Sequence, residues 1–259
     1  MIGAIIGDIV GSRFEFDNIK TKNFDLFTSD CDFTDDTVMT LAIGKAFIRR
    51  KEDNFKQILI NTMHEVGNKY QDCGYGGRFL DWVVYECTEP YNSCGNGSAM
   101  RVSSVGWYAK TLAEAEELAK ISAEVTHNHP EGIKGAQAVA GAIFLAKTGV
   151  SKEEIRQYVT NYYTLDFTLD EIRPTYEYEI VCQTSVPQAI QAFLESTDFE
   201  DAIRNAISIG GDSDTVAAIC GSIAEAYYGV DEDLRETALS YLDDYLLDIY
   251  EECIEAITR

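Results

Sequence analysis

At 259 residues, with 46% of them hydrophobic, the chain can bury a sizeable core, which excludes a disordered polymer. Its 44 Asp and Glu against 21 Lys and Arg give a formal charge of −23, a surface that repels phosphate backbones and speaks against sequence-independent nucleic-acid binding. An anionic ligand would need local positive charge, from metal ions or from helix N-termini.

The chain opens on "MIGAIIGDIVGS". This stretch has no basic leader and carries Asp8 in its middle, so it reads as neither signal peptide nor membrane span. Its spacing predicts a helix over 2–12, with Gly3, Gly7 and Gly11 letting it pack tightly in a crowded centre. Glu15 follows between Phe14 and Phe16. A carboxyl flanked by aromatics can be desolvated and hold a raised pKa, as a general acid or base needs, although a solvated loop acid is the plainer reading.

Apolar residues at i, i+3, i+4 and i+7 then predict helices over 36–50, 54–69, 77–87, 98–109, 111–124, 131–148 and 151–162. The helix at 36 is introduced by "FTDD", with Thr34, Asp35 and Asp36 in succession. Two glycine loops enter the helices at 77 and 98. "CGYGGRF" holds Gly74, Gly76 and Gly77, and "SCGNGSAMR" holds Asn96, Gly97 and Ser98. Glycine permits close backbone approach, and helix N-termini take phosphate oxygens; ordinary turn formation explains either loop alone. In "THNHPEG", His129 reads as a helix-entry residue before Pro130, while His127 is free to hydrogen-bond a substrate. His64 reads as structural or surface.

Further on, "TYEYEIV" (175–181) alternates and predicts a short hairpin arm. It and residues 88–94 are candidates for shaping a site entrance. Helices follow over 187–195, 198–208, 214–228, 231–246 and 248–257. The sum is an all-α chain, read as a single compact domain over 1–259. Its seven scattered cysteines lack zinc spacing and suggest free thiols in a reducing, cytoplasmic compartment.

One internal echo carries the chemistry. "FTDDTVMTLAIGKAF" (33–47) and "GDSDTVAAICGSIAEAY" (211–227) each place an acidic knot before Asp-Thr-Val and an amphipathic helix. One acid would be explained as a helix cap. Three or four hard oxygen donors, twice, suit Mg²⁺ or Mn²⁺ instead, and two such knots brought together could hold two ions. "DSDTV" does not fit an EF-hand loop, because Val216 and Ala217 stand where a ligand and a glycine are needed. It looks like the nucleophile motif of haloacid-dehalogenase phosphatases, but Gly210-Gly211 intervenes where a buried strand should lead in.

Taken together, "GAIIGDIVGSRFEF", "FTDDTVMTLAI", "GYGGR", "GNGSAMR", "THNHPEGIKGA", "CQTSVPQAI" and "AISIGGDSDTVAAICGSIAEAYYG" resemble, in this order, the ADP-ribosylglycohydrolase family. The resemblance runs from Ile2 to about Gly229. It implies an all-α domain, of orthogonal helices, with a dinuclear Mg²⁺ or Mn²⁺ site at its centre. It implies Thr34, Asp35, Asp36, Asp212, Asp214 and Thr215 as metal ligands, with Glu15 or a metal-bound Asp36 managing the proton. Gly74, Gly76 and Gly77 would line a diphosphate, Asn96, Gly97 and Ser98 would contact ribose and diphosphate, and His127 would stand beside the substrate. Asp8 would be an anchor behind the ligands. The implied reaction cleaves the N- or O-glycosidic bond between ADP-ribose and a modified protein or small molecule. The alternative is a catalytically silent ADP-ribose-binding or partner-binding protein on the same scaffold.

Overall fold

The computed structural model describes residues 1–50 and 54–258. Among them fifteen helices follow one another: α1 (Ile2–Ser12), α2 (Asp35–Ile48), α3 (Phe55–Gly67), α4 (Gly77–Val84), α5 (Gly97–Met100), α6 (Ser103–Tyr108), α7 (Leu112–Glu124), α8 (Pro130–Lys147), α9 (Lys152–Val159), α10 (Leu169–Ile172), α11 (Cys182–Glu195), α12 (Phe199–Ser208), α13 (Ser213–Tyr228), α14 (Glu232–Leu239) and α15 (Asp244–Thr258). The described residues contain no sheet, only one isolated antiparallel bridge between Gly95 and Val181. No helix among them is long and apolar enough to cross a membrane.

The centre of the fold is the antiparallel pair α1 and α13. Ile2, Ile5, Ile6, Ile9 and Val10 are buried, each worth about 1.5–3 kcal/mol on leaving water. The glycines decide how close the two helices come. A Cβ at Gly3 would stand 2.1 Å from the Gly221 carbonyl oxygen, one at Gly7 2.1 Å from that of Ala217, and one at Gly11 2.5 Å from Asp214 Cα. Main chain therefore lies on main chain along the whole seam. The C-terminal end of α1 meets the N-terminal end of α13, where the second knot begins.

Several boundaries differ from the periodic reading. The span 98–109 divides into α5 and α6 around Val102, where Arg101 sends its guanidinium inward to the Ser122 carbonyl. The helix expected from Pro187 starts five residues earlier, at Cys182, and carries Pro187 in its interior. Proline suits a first turn, but burial of Cys182, Ser185 and Val186 extends the helix ahead of it. The break expected near residue 247 falls at 240–243, because Asp243 caps α15 by accepting from the Leu246 N–H at 2.9 Å. Four-residue α10, held by a Thr168–Glu171 capping box, has too few residues to show a period.

The hairpin arm at 175–181 does not form. Its alternating side chains pack singly on the loops around them instead of on a partner strand. Tyr176 lies against Gly211 and donates from its hydroxyl to the Thr184 carbonyl at 2.6 Å. Tyr178 reaches Glu15, and the Ile180 carbonyl accepts from the Asn96 N–H.

Candidate active site

The two acidic knots occupy equivalent places, at the N-termini of the buried helices α2 and α13. In the first, Thr34 is an ordinary cap whose hydroxyl accepts from the Asp36 N–H. Asp8, reaching across from α1, accepts from Thr34 N at 2.9 Å, Thr34 Oγ1 at 2.6 Å and Thr37 N at 3.0 Å. It locks the α2 entry onto α1.

The second knot is set by two consecutive glycines in the left-handed region, Gly210 (φ 71°) and Gly211 (φ 81°), a turn other residues resist. Asn18 holds Gly211 from both sides, accepting from its N–H at 2.7 Å and donating to its carbonyl at 2.9 Å. Asp212 stands at the N-cap of α13 but makes no side-chain cap bond. Its carboxylate turns into the cavity and accepts from Asn96 Nδ2 at 2.7 Å. The plain capping explanation therefore fails for this residue. The phosphatase reading fails as well, because helix α12 rather than a strand leads into the motif.

The seam brings the knots into contact: Thr215 Oγ1 donates to Asp36 Oδ2 at 2.9 Å. Carboxylate oxygens of Asp8, Asp36 and Asp214 lie within 4.8 Å of one another, as do those of Glu15, Asp212 and Asp214. Asp8, Asp36, Asp212 and Asp214 are buried. Among the described residues no lysine or arginine forms an ion pair with any of them, or with Asp35 or Glu15.

Burial, and then mutual repulsion, pushes Asp35, Asp36 and Asp214 well above the usual carboxylate range. Asp8 and Asp212 are raised by burial too, against hydrogen bonds that pull them back. Half-buried Glu15 is raised to about 7, chiefly by desolvation, with Asp212 and Asp8 adding to it. Tyr178 donates to Glu15 Oε1 at 3.0 Å and fixes its direction.

Such a cluster fits a hard cation. Asp36 Oδ1 is buried without a hydrogen-bond partner, and a buried unpaired oxygen costs free energy unless something binds it. The donors are all carboxylate and hydroxyl oxygens, the set that hard divalent ions select.

A cavity of about 320 Å³ opens over the knots, a size that suits a small ligand. Its wall includes Glu15, Asp35, Asp36, Asp212, Asp214, Thr215, Gly74, Gly76, Gly77, Asn96, Gly97 and His127. Gly76 and Gly77 face open space, while Gly74 takes a left-handed φ of 108° beside Asp35. Two of the residues singled out from the sequence stand behind the wall. Thr34 is engaged by Asp8, and the buried Ser98 donates to the Gly132 carbonyl at 2.8 Å. His129 accepts from the Glu131 N–H as the cap of α8, and His64 packs on Trp82 with ring centroids 4.2 Å apart.

The cavity is also lined by groups to which the sequence reading gave no role. Arg78, Tyr91 and Arg101 gather beside His127. The Arg78 guanidinium lies 4.8 Å above the Tyr91 ring and donates to the Tyr91 carbonyl. Local positive charge thus lines the same cavity as the carboxylates. Arg78 and Arg101 end the "GYGGR" and "GNGSAMR" stretches but have no role in the sequence reading, and Tyr91 lies in neither; folding brings 78, 91, 101 and 127 together. Tyr178 and Ile180, from the expected hairpin arm, form part of the rim.

A family model described as ADP-ribosylglycohydrolase matches residues 1–259. The chain is 26% identical to human ADP-ribosylhydrolase ARH3 over 313 residues, covering 90% of this chain and 85% of that one. It is 24% identical to ADP-ribosylarginine hydrolase Tri1 of Pseudomonas putida over 270 residues, covering 89% and 70%. Among solved structures it resembles one described as an ADP-ribosylglycohydrolase-related protein complex, with a TM-score of 0.69, 22% identity and 97% of each chain covered.

Proposed function

The chain belongs to the ADP-ribosylglycohydrolase family, and on that premise we propose that it hydrolyses the N- or O-glycosidic bond joining ADP-ribose to a modified acceptor, with divalent cations held by its two acidic knots. The observation that carries the reading is the convergence of Asp36, Asp212, Asp214 and Glu15 in a cavity that is also lined by Arg78 and Arg101. A ligand that carries both a diphosphate and a reactive ribose matches that combination of groups. The printed names of the relatives, an ADP-ribosylhydrolase and an ADP-ribosylarginine hydrolase, support the substrate class.

In this reading Asp35, Asp36, Asp212, Asp214 and Thr215 would hold two Mg²⁺ or Mn²⁺ ions, joined by Thr34, whose hydroxyl is held by Asp8 but lies 3.5 Å from Asp214 Oδ2. When bound, such ions neutralise the carboxylates, orient ribose hydroxyls and lower the pKa of water. The chain's own residues do the rest. Asn96 holds Asp212 through Oδ2. Gly74, Gly76 and Gly77, with no side chains in the way, let main chain approach the diphosphate, and Asn96 and Gly97 line the same cavity. His127 stands beside Gly97. Glu15, raised to about 7, is poised to take and return a proton near neutral pH as the acceptor leaves an oxocarbenium-like ribose. Tyr178 keeps Glu15 aimed at that position.

Arginine- and serine-linked ADP-ribose conjugates, incubated with the protein and Mg²⁺ or Mn²⁺, test the proposal. Release of ADP-ribose from one linkage, abolished by chelation, is expected. Metal shown to be bound, with no release from any linkage, would overturn it, and calorimetric binding of ADP-ribose without turnover would favour the silent binder.

A further inference from the structure

Beside the cavity's arginines, a buried chain of hydrogen bonds runs from Arg101 through Thr126 to the ring of His127. Thr126 is fully buried, and its Oγ1 has two partners: Arg101 Nη2 at 3.0 Å and His127 Nδ1 at 2.7 Å. Arginine only donates, so the hydroxyl must accept from Arg101. Its single proton then has one acceptor in reach, His127 Nδ1. A neutral imidazole that accepts at Nδ1 carries its proton on Nε2.

The relay is held rigidly at each step. The same Arg101 Nη2 donates to the Ser122 carbonyl at 2.8 Å, and Arg101 itself is buried. The N–H groups of Thr126 and His127 both donate to the Ala123 carbonyl, at 3.1 and 2.7 Å. His127 Nε2 points at the 95–97 loop: a Cβ would lie 3.2 Å from it at Gly97 and 3.5 Å from it at Gly95. Burial, then the Arg101 and Arg78 cations, hold the ring well below its usual pKa and so neutral.

We propose that Thr126, gripped by Arg101, is a positioning residue that holds His127 as the Nε2–H tautomer, a neutral hydrogen-bond donor for an anionic oxygen of the ligand lying over the Gly95–Gly97 loop. The ligand clause rests on the function proposed above; the tautomer does not. With the other tautomer, Nε2 would present a lone pair to the same oxygen and repel it.

Long-range ¹H–¹⁵N NMR of the ligand-free protein, labelled at histidine, reads the tautomer directly. His127 should show a protonated Nε2 and a bare Nδ1 between about pH 6 and 8, the range in which a free imidazole titrates. A protonated Nδ1, or an imidazolium, would overturn the inference. Thr126→Val removes the hydroxyl and keeps the shape. It should abolish the single-tautomer signature and weaken ADP-ribose binding about tenfold by calorimetry, the effect of one lost hydrogen bond. Thr126→Ser should restore both. A valine variant that keeps the wild-type tautomer and affinity would sink the idea. Should that variant fail to fold, the wild-type and serine spectra decide. A wild-type protein with the expected tautomer but no affinity for ADP-ribose would support the relay and remove the functional reading instead.

Discussion

At the scale of single residues, the site is an accumulation of negative charge that the fold does not neutralise. Every carboxylate in it has a folded-state pKa above its ordinary value near 4. The folded protein thus holds more protons than the unfolded chain from about pH 4 upward, through about 7 for Glu15. Stability contributed by these protonated groups is fully present below that window and is lost as pH rises through it. Metal-free protein should therefore unfold at lower denaturant concentration at pH 8 than at pH 5.5, and added Mg²⁺ should flatten the difference. A metal-free midpoint that rises with pH would show that the cluster is not ionising as described. Asp36→Asn removes one charge at the atom with the unpartnered oxygen. Its metal-free form should melt a few degrees higher, while ADP-ribose release falls by about 10³-fold, as loss of a group acting on the transition state does. Differential scanning fluorimetry and a turnover assay check the two halves.

Much of this chemistry was legible in the sequence. Adjacent hard-oxygen donors, Asp35-Asp36 and Asp212/Asp214, each followed by a helix, announce a site within a few positions of chain. Arg78 and Arg101 stand at the ends of glycine stretches without an assigned role in that reading, and Tyr91 is not singled out at all. Their place in the cavity depends on neighbours in space that local sequence does not name.

At the scale of elements, the small-residue spacing of the first helix has a strict meaning. Gly7→Ala would drive a methyl into the Ala217 carbonyl at 2.1 Å, against backbone that cannot step aside. The expected cost is about 3 kcal/mol or more, visible as a lower urea midpoint by circular dichroism. Gly77→Ala, which meets nothing within 4 Å, should leave that midpoint unchanged. Long helices announced themselves by period. The misread boundaries share a physical cause: tertiary contact overrode the local signal. Arg101 turning inward splits α5 from α6, burial carries α11 through Pro187, and the Asp243 side chain restarts the chain at α15. The hairpin expectation at 175–181 failed because alternation describes any extended segment, and this one uses its alternate side chains to line a cavity rim.

At the scale of the whole molecule, a charge of −23 and the anionic ligand proposed for the cavity stand in opposition. The protein places cationic side chains in the same cavity as its acids. Acids collect where α1, α2 and α13 meet, and Arg78 and Arg101 line the cavity with them. The cations proposed for the acidic knots complete the compensation. Ions that bind only the folded state add about 2.7 kcal/mol at a hundredfold excess over their dissociation constant. For a chain of this size the melting temperature should then rise by about 5–10 °C. Thermal scans of wild type and Asp214→Asn, with Mg²⁺ and with chelator, check this: the variant should lose most of the shift.

The contact of α1 with α13 also bears on which ion the centre would accept. Asp8 and Asp214 project from two main chains that touch, and Asp8 in turn grips the entry of α2, so the gauge between the knots is set by backbone atoms rather than by side chains. Such a frame works as a calliper with its jaws fixed. Mg²⁺ takes oxygens at about 2.0–2.1 Å and Ca²⁺ at about 2.3–2.6 Å. Under the two-ion reading, knots held this closely would favour the smaller ion, and the absence of side chains at Gly7 and Gly11 would be the source of that preference.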